Sequence, residues 1–172
     1  MTSNNPDIRK SIQDSRGLLK KIQLVIPGFR GYRELDDIRV ADELLRAQIS
    51  KILSSAEQDL NQFRSQLVRK GEFSSLEGVA SAISRLQQLR GKVMNAEQVY
   101  SGISPAIRVG EETLNKLYEY DFNFLDAARK LEDVCNKTVN AQGGLEAVLS
   151  SINTFTDAWQ KRTEAVEGIL QK

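Results

Sequence analysis

Between Glu34 and Arg69 the chain carries neither proline nor glycine, and its apolar residues return in steps of three and four: Ile38, Leu45, Ile49, Ile52, Ala56, Leu60, Phe63 and Leu67. That is the period of an α-helix with one buried face. A sheet protein would show short alternating runs broken by frequent turn signals. Glu34, Asp36 and Asp37 sit in the first turn, where acidic groups suit the helix dipole, and Arg69 and Lys70 precede Gly71 at the expected stop.

The same period recurs downstream. A third helix is predicted from Ser74 or Ser75, where Ser74 and Glu77 have capping-box spacing. Its seam is Leu76, Val79, Ile83, Leu86, Arg90, Val93, Glu97 and Tyr100, coiled-coil-like at first and more open where Arg90 and Glu97 enter it. Gly102, Pro105 and Gly110 mark a break. A fourth helix is predicted over Glu111 to Thr138, with Leu114, Leu117, Tyr118, Phe124, Leu125, Ala128, Leu131 and Cys135 on one face and Asp121 intruding on it. The NAQGG stretch, Asn140 to Gly144, is a turn. A last helix then carries Leu145, Val148, Leu149, Ile152, Phe155, Trp159, Val166, Ile169 and Leu170 on one side. Upstream, Asp7 is placed to cap a first helix to about Leu24, with an irregular stripe of Ile8, Ile12, Leu18, Leu19, Ile22 and Val25 and a basic remainder of Arg9, Lys10, Arg16, Lys20 and Lys21.

The expectation is therefore an all-α protein: an elongated antiparallel (up-down) bundle of four long helices plus a shorter N-terminal helix. Residues 1–172 form a single domain, with 1–6 a disordered tail and 26–33 a defined turn. Helices of about 28 to 36 residues would be roughly 40 to 55 Å long, and short connections make sequential helices antiparallel.

Composition narrows the function classes. Lys and Arg number 24 against 23 Asp and Glu, a net charge of +1, so no global field draws in nucleic acid. No apolar run reaches the length of a membrane span. There is no histidine, which removes Ser-His-Asp and Cys-His catalysis and His-ligated metals. The single Cys135 cannot make a zinc site and has the spacing of a core residue. No Walker loop and no GxGxxG occur. The expectation is no enzyme, no cofactor, no metal and no nucleic-acid partner, in a cytoplasmic setting.

Two segments stand out. In VIPGFRGY, Pro27 fixes its own φ while Gly28 and Gly31 permit positive φ, giving a defined turn with Phe29 and Tyr32 beside it. On the helix that follows, Arg39, Asp42 and Arg46 share a face, and Arg30 and Arg33 precede them. Guanidinium groups clustered in this way can hold an anionic partner in planar, bidentate fashion. The LYEYDF segment adds Tyr118, Tyr120 and Asp121, and Asp121 is expected to pair with Arg39 or Arg46. The pattern favours an internal polar network that fixes helix register over a ligand site.

IPGFRGY with DIRVADELLR, and later EETLNKLYEYDF, resemble a family of uncharacterised prokaryotic helical proteins. Where that family's pattern typically has two adjacent arginines before the helical Asp, this chain has Arg39 followed by Val40. Members are similar in lacking an established activity, so the resemblance implies no substrate. It implies that the turn and the tyrosine segment form one unit.

The leading functional expectation is a non-enzymatic helical scaffold or adaptor that works through protein–protein contact, with self-association through a seam at Val166 to Leu170 included. The alternatives are a membrane surface met by the basic first helix, and a small anion or nucleotide at Arg30, Arg39 and Arg46.

Overall fold

The computed structural model describes residues 6–29, 35–96 and 111–170, with side chains described over 16–29, 40–96 and 112–168. It is an all-α bundle, and among the described residues there is no strand. Among the described residues five α-helices follow in order: α1 (Pro6–Val25), α2 (Leu35–Lys70), α3 (Leu76–Met94), α4 (Glu111–Val139) and α5 (Leu145–Leu170). Pro6 opens α1, a position where its missing N–H costs nothing, so Asp7 lies inside the helix rather than capping it.

Helix ends follow local chemistry. After α2, Gly71 adopts φ 74°, its N–H bonds Val68 O, and the Glu72 N–H bonds Leu67 O at 2.9 Å. This is the Schellman arrangement, which satisfies two of the carbonyls a helix end leaves open. A 3₁₀ turn, Phe73–Ser75, then feeds directly into α3, and the Leu76 N–H bonds Phe73 O. That turn takes over the work expected of a capping box, and Ser75 makes no side-chain capping bond. At the other turn predicted from sequence, Phe29 N–H bonds Ile26 O at 3.3 Å, with Pro27 and Gly28 (φ 87°) between them. Proline followed by a positive-φ glycine in the two central positions is the type II turn. It folds Phe29 back into the core, and Gln23 Nε2 donates to Phe29 O at 2.9 Å.

α3 is 19 residues long, shorter than the sequence suggested. It stops where its last carbonyls are claimed from outside: Arg46 of α2 donates to Val93 O and Met94 O. Expected seam residues Glu97 and Tyr100 lie outside the described residues.

From α2 to α5 the helices alternate in direction and form two antiparallel hairpins. In the first, α2 and α3 meet at Arg46 with Met94 and at Glu57 with Gln87 and Arg90. In the second, Phe124 of α4 packs on Phe155 and Trp159 of α5 at centroid separations of 5.2 and 5.0 Å. The hairpins then lie side by side. α2 packs along α4, and α3 packs along α5. Asp59 of α2, seventeen residues beyond Asp42, is hydrogen-bonded by Asn136 of α4, fifteen beyond Asp121, so that pair runs parallel. Gly78 meets Leu145 and Arg85 donates to Asn153, which makes α3 and α5 parallel as well. α1 lies on the outer side of α4, with Lys21 Nζ 5.3 Å from the Phe122 ring centroid.

The core is continuous from Ile22, Ile26 and Phe29 through Leu45, Ile49, Leu53 and Leu60 to Leu86, Phe124, Leu125, Leu131 and Phe155. Each such side chain contributes roughly 1.5–3 kcal/mol by leaving water. The exposed pairs Glu112–Lys116, Asp126–Lys130 and Asp133–Lys137 along α4 add only about 0.3–0.5 kcal/mol apiece. Apolar packing therefore decides that the bundle forms. Cys135 is part of that packing: it is fully buried, and burial pushes its thiol up to about 12. Val166 is also buried in this core, so it is not an open seam for a partner helix. Among the described residues no helix is long and apolar enough to cross a membrane.

Candidate functional site

Among the described residues four charged side chains sit inside this core: Asp42, Arg46, Asp121 and Arg162, each less than 5% exposed. They make one alternating line. Arg46 Nε donates to Asp42 Oδ2 at 2.7 Å. Arg162 Nη2 lies 2.6 Å from Asp42 Oδ1, ion-pair close without hydrogen-bond alignment. Arg162 Nε donates to Asp121 Oδ1 at 2.8 Å. At the far end Arg46 Nη1 reaches Met94 O at 3.0 Å and Val93 O at 3.4 Å. A cation there meets the negative end of the α3 dipole and two carbonyls of its last turn. All four bundle helices therefore converge on one set of contacts, and its formal charges cancel.

Each residue is placed by helical periodicity. Asp42 and Arg46 are one turn apart on α2, beside the buried Ala41 and Leu45. Asp121 is one turn past the buried Tyr118 on α4. Arg162 fills the step between Trp159 and Val166 in the α5 seam. The α4–α5 turn, 140–144, is centred on Gln142, so residues 121 and 162 lie 21 and 20 positions from it and face each other across the hairpin.

That geometry corrects the expected partner of Asp121. It pairs with Arg162, not with Arg46, whose guanidinium is committed to Asp42 and the end of α3. Arg39 belongs to α2 by its backbone, while its side chain, together with Arg30, Tyr32 and Arg33, lies outside the described residues. Tyr118 shares the buried face with Asp121, whereas Tyr120 is half-buried on another side of α4. Of the eight residues singled out from sequence, the structure brings Asp42, Arg46 and Asp121 into one network. The residue missed, Arg162, had a legible signal: it is the charged occupant of a position where the α5 apolar stripe skips a step.

Electrostatics at Asp121 are set by burial. Removal from water raises its pKa, and the Arg162 charge and hydrogen bond oppose that rise without cancelling it. Among the described residues its Oδ2 has no hydrogen-bond partner. Arg46 is spent on Asp42 and on two main-chain carbonyls, and Arg162 on Asp121 and Asp42. Among the described residues no group of three or more Cys, Asp or Glu is placed to hold a metal ion. Comparison with protein-family models, curated proteins and solved structures finds no match, so the likeness of the IPGFRGY and LYEYDF segments to a prokaryotic helical family stands on those residues alone.

Proposed function

We propose that the chain is a non-enzymatic helical scaffold or adaptor, acting through protein–protein contact on the outside of the bundle. The observation that carries this reading is how the interior charges are used. Asp42, Arg46, Asp121 and Arg162 pair with one another in the core, which argues against Arg46 as an anion receptor. Outside, Val68 and Phe73 stand 50% and 65% exposed at the tip of the α2–α3 hairpin. Light scattering on a size-exclusion column tests the reading across a range of concentrations and with co-purifying protein retained. A mass above the monomer, reduced by Phe73→Ser, is the expected result. A strict monomer with no bound protein counts against it. A phosphate-ligand thermal-shift panel is expected to give no response, since a bound ligand would raise stability by mass action.

One observation favours a second reading, contact with an anionic membrane surface. Arg16, Lys20 and Lys21 are exposed on α1, and Leu24 is 86% exposed beside them. An apolar side chain among lysines suits an interfacial helix. Flotation with anionic liposomes decides it: binding lost in Lys20→Glu with Lys21→Glu supports this reading, and no binding by the parent protein ends it.

A further inference from the structure

The charged line divides at one contact. Asp42, Arg46 and the carbonyls of Val93 and Met94 all belong to the α2–α3 hairpin. Asp121 and Arg162 both belong to the α4–α5 hairpin. Each half is formally neutral and internally hydrogen-bonded. The ion pair between Arg162 Nη2 and Asp42 Oδ1, at 2.6 Å, joins them. We infer that this contact is a docking key, which sets how far one hairpin slides along the other.

The reason lies in what the apolar seams leave undecided. α2 and α4 run parallel over a long contact, and their buried residues are mostly aliphatic, with Tyr118, Phe124 and Cys135 among those of α4. Aliphatic cores tolerate repacking when volume and pattern are kept, so a slip of one turn, about 5.4 Å, is the competing arrangement that an apolar seam excludes least. Such a slip carries Arg162 past Asp42: each keeps its partner within its own hairpin, but Asp42 Oδ1 and Arg162 Nη2, both buried, lose the opposite charge that faces them. Losing one partner of a buried pair is far more costly than the pair is worth against an apolar replacement. The halves are also preset. Asp121 fixes the Arg162 guanidinium through Nε, and Arg46 fixes the Asp42 carboxylate through Oδ2, so each presents its remaining atom to the other hairpin. A single buried polar contact that specifies register at little gain in stability is the best-attested use of such groups in helical assemblies.

The test separates register from stability. Spin labels on Ala47→Cys in α2 and Lys137→Cys in α4 report the lengthwise offset of the hairpins, and both positions are exposed. The native Cys135 is buried and its thiol stays protonated near neutral pH, so it does not take up label. The parent protein is expected to give one narrow distance. The variant Asp42→Leu, Arg46→Met, Asp121→Leu, Arg162→Met is expected to remain helical with an undiminished melting temperature, yet to show a second distance displaced by about one helical turn. The pair Asp121→Leu with Arg162→Met, which empties only the α4–α5 half, is expected to broaden the distance in the same direction. A single parent-like distance in either variant overturns the inference, because apolar packing alone would then set the register. Failure of both variants to fold also overturns it, in favour of a purely stabilising role.

Discussion

Ala141 occupies a backbone conformation usually reserved for glycine. Its φ is 57°, and it ends α4 as Gly71 ends α2: the Ala141 N–H bonds Thr138 O and the Gln142 N–H bonds Lys137 O at 2.8 Å. The two helix ends thus share one hydrogen-bond pattern and differ in the residue at the left-handed position. A β-carbon there costs roughly 1–2 kcal/mol, while glycine in the unfolded chain returns part of that as entropy. Ala141→Gly is therefore expected to stabilise the protein by about 1 kcal/mol, a rise of about 2–4 °C in Tm for a chain of this size. Thermal denaturation by circular dichroism checks it, and a lower Tm would refute the shared-cap account. The NAQGG motif predicted a turn over Asn140 to Gly144, whose two glycines are Gly143 and Gly144. The hydrogen bonds place the strained residue two positions earlier, because α4 continues to Val139 before the chain reverses.

At the level of elements, the pairing of α4 with α5 shows what could be read beforehand. Helix periods, the breaks at Gly71 and NAQGG, and the type II turn at Pro27–Gly28 are local, and local chemistry decided them. Asp121 was legible as an intrusion into an apolar stripe, and Asp42 and Arg46 as charges that share one helix face with Arg39. Their partners were not, because partnership depends on which helices become neighbours, and α2 alongside α4 is a tertiary outcome. Arg162 shows the difference: its position in the α5 seam is local information, while its contact with Asp42 on α2 is not. The same logic yields a prediction for the α4–α5 hairpin. Arg162→Met strips both acids of a cation and is expected to cost about 3–5 kcal/mol in urea denaturation. Adding Asp121→Leu removes the buried charge left behind and fills the space with apolar atoms. The double variant is expected to recover most of that loss, with a positive coupling between the sites. A double variant as damaged as the sum of its parts would mean that Asp121 and Arg162 act independently.

For the whole molecule, the balance between these terms makes a prediction about pH. The chain has no histidine, so no ordinary side chain titrates between pH 6 and 7. Two buried or half-buried acids have pKa values displaced upward: Asp121 by burial, and Asp59 by burial with a further push from Glu132, opposed by its hydrogen bond from Asn136. The native state then takes up a proton on each at a pH where the unfolded chain, near the ordinary value of about 3.9, has not yet done so. Across that window the native state binds more protons than the unfolded state, so stability rises as pH falls. The contribution is complete below the unfolded value and is lost as pH climbs through the folded one, with a slope of up to about 1.4 kcal/mol per pH unit for each group. Asp121 is the sealed member of the pair and dominates. Asp121→Asn keeps the shape, removes the titration, and is expected to flatten the acid-side slope of denaturation midpoints measured from pH 7 down to about 4. Asp59→Asn, at a partly solvated site, is expected to change it less. A parent protein that loses stability on acidification throughout that range, with Asp121→Asn behaving identically, would mean that the Arg162 charge outweighs burial. The core network would then be a net electrostatic stabiliser, and the case for it as a device of register rather than of stability would fall with it.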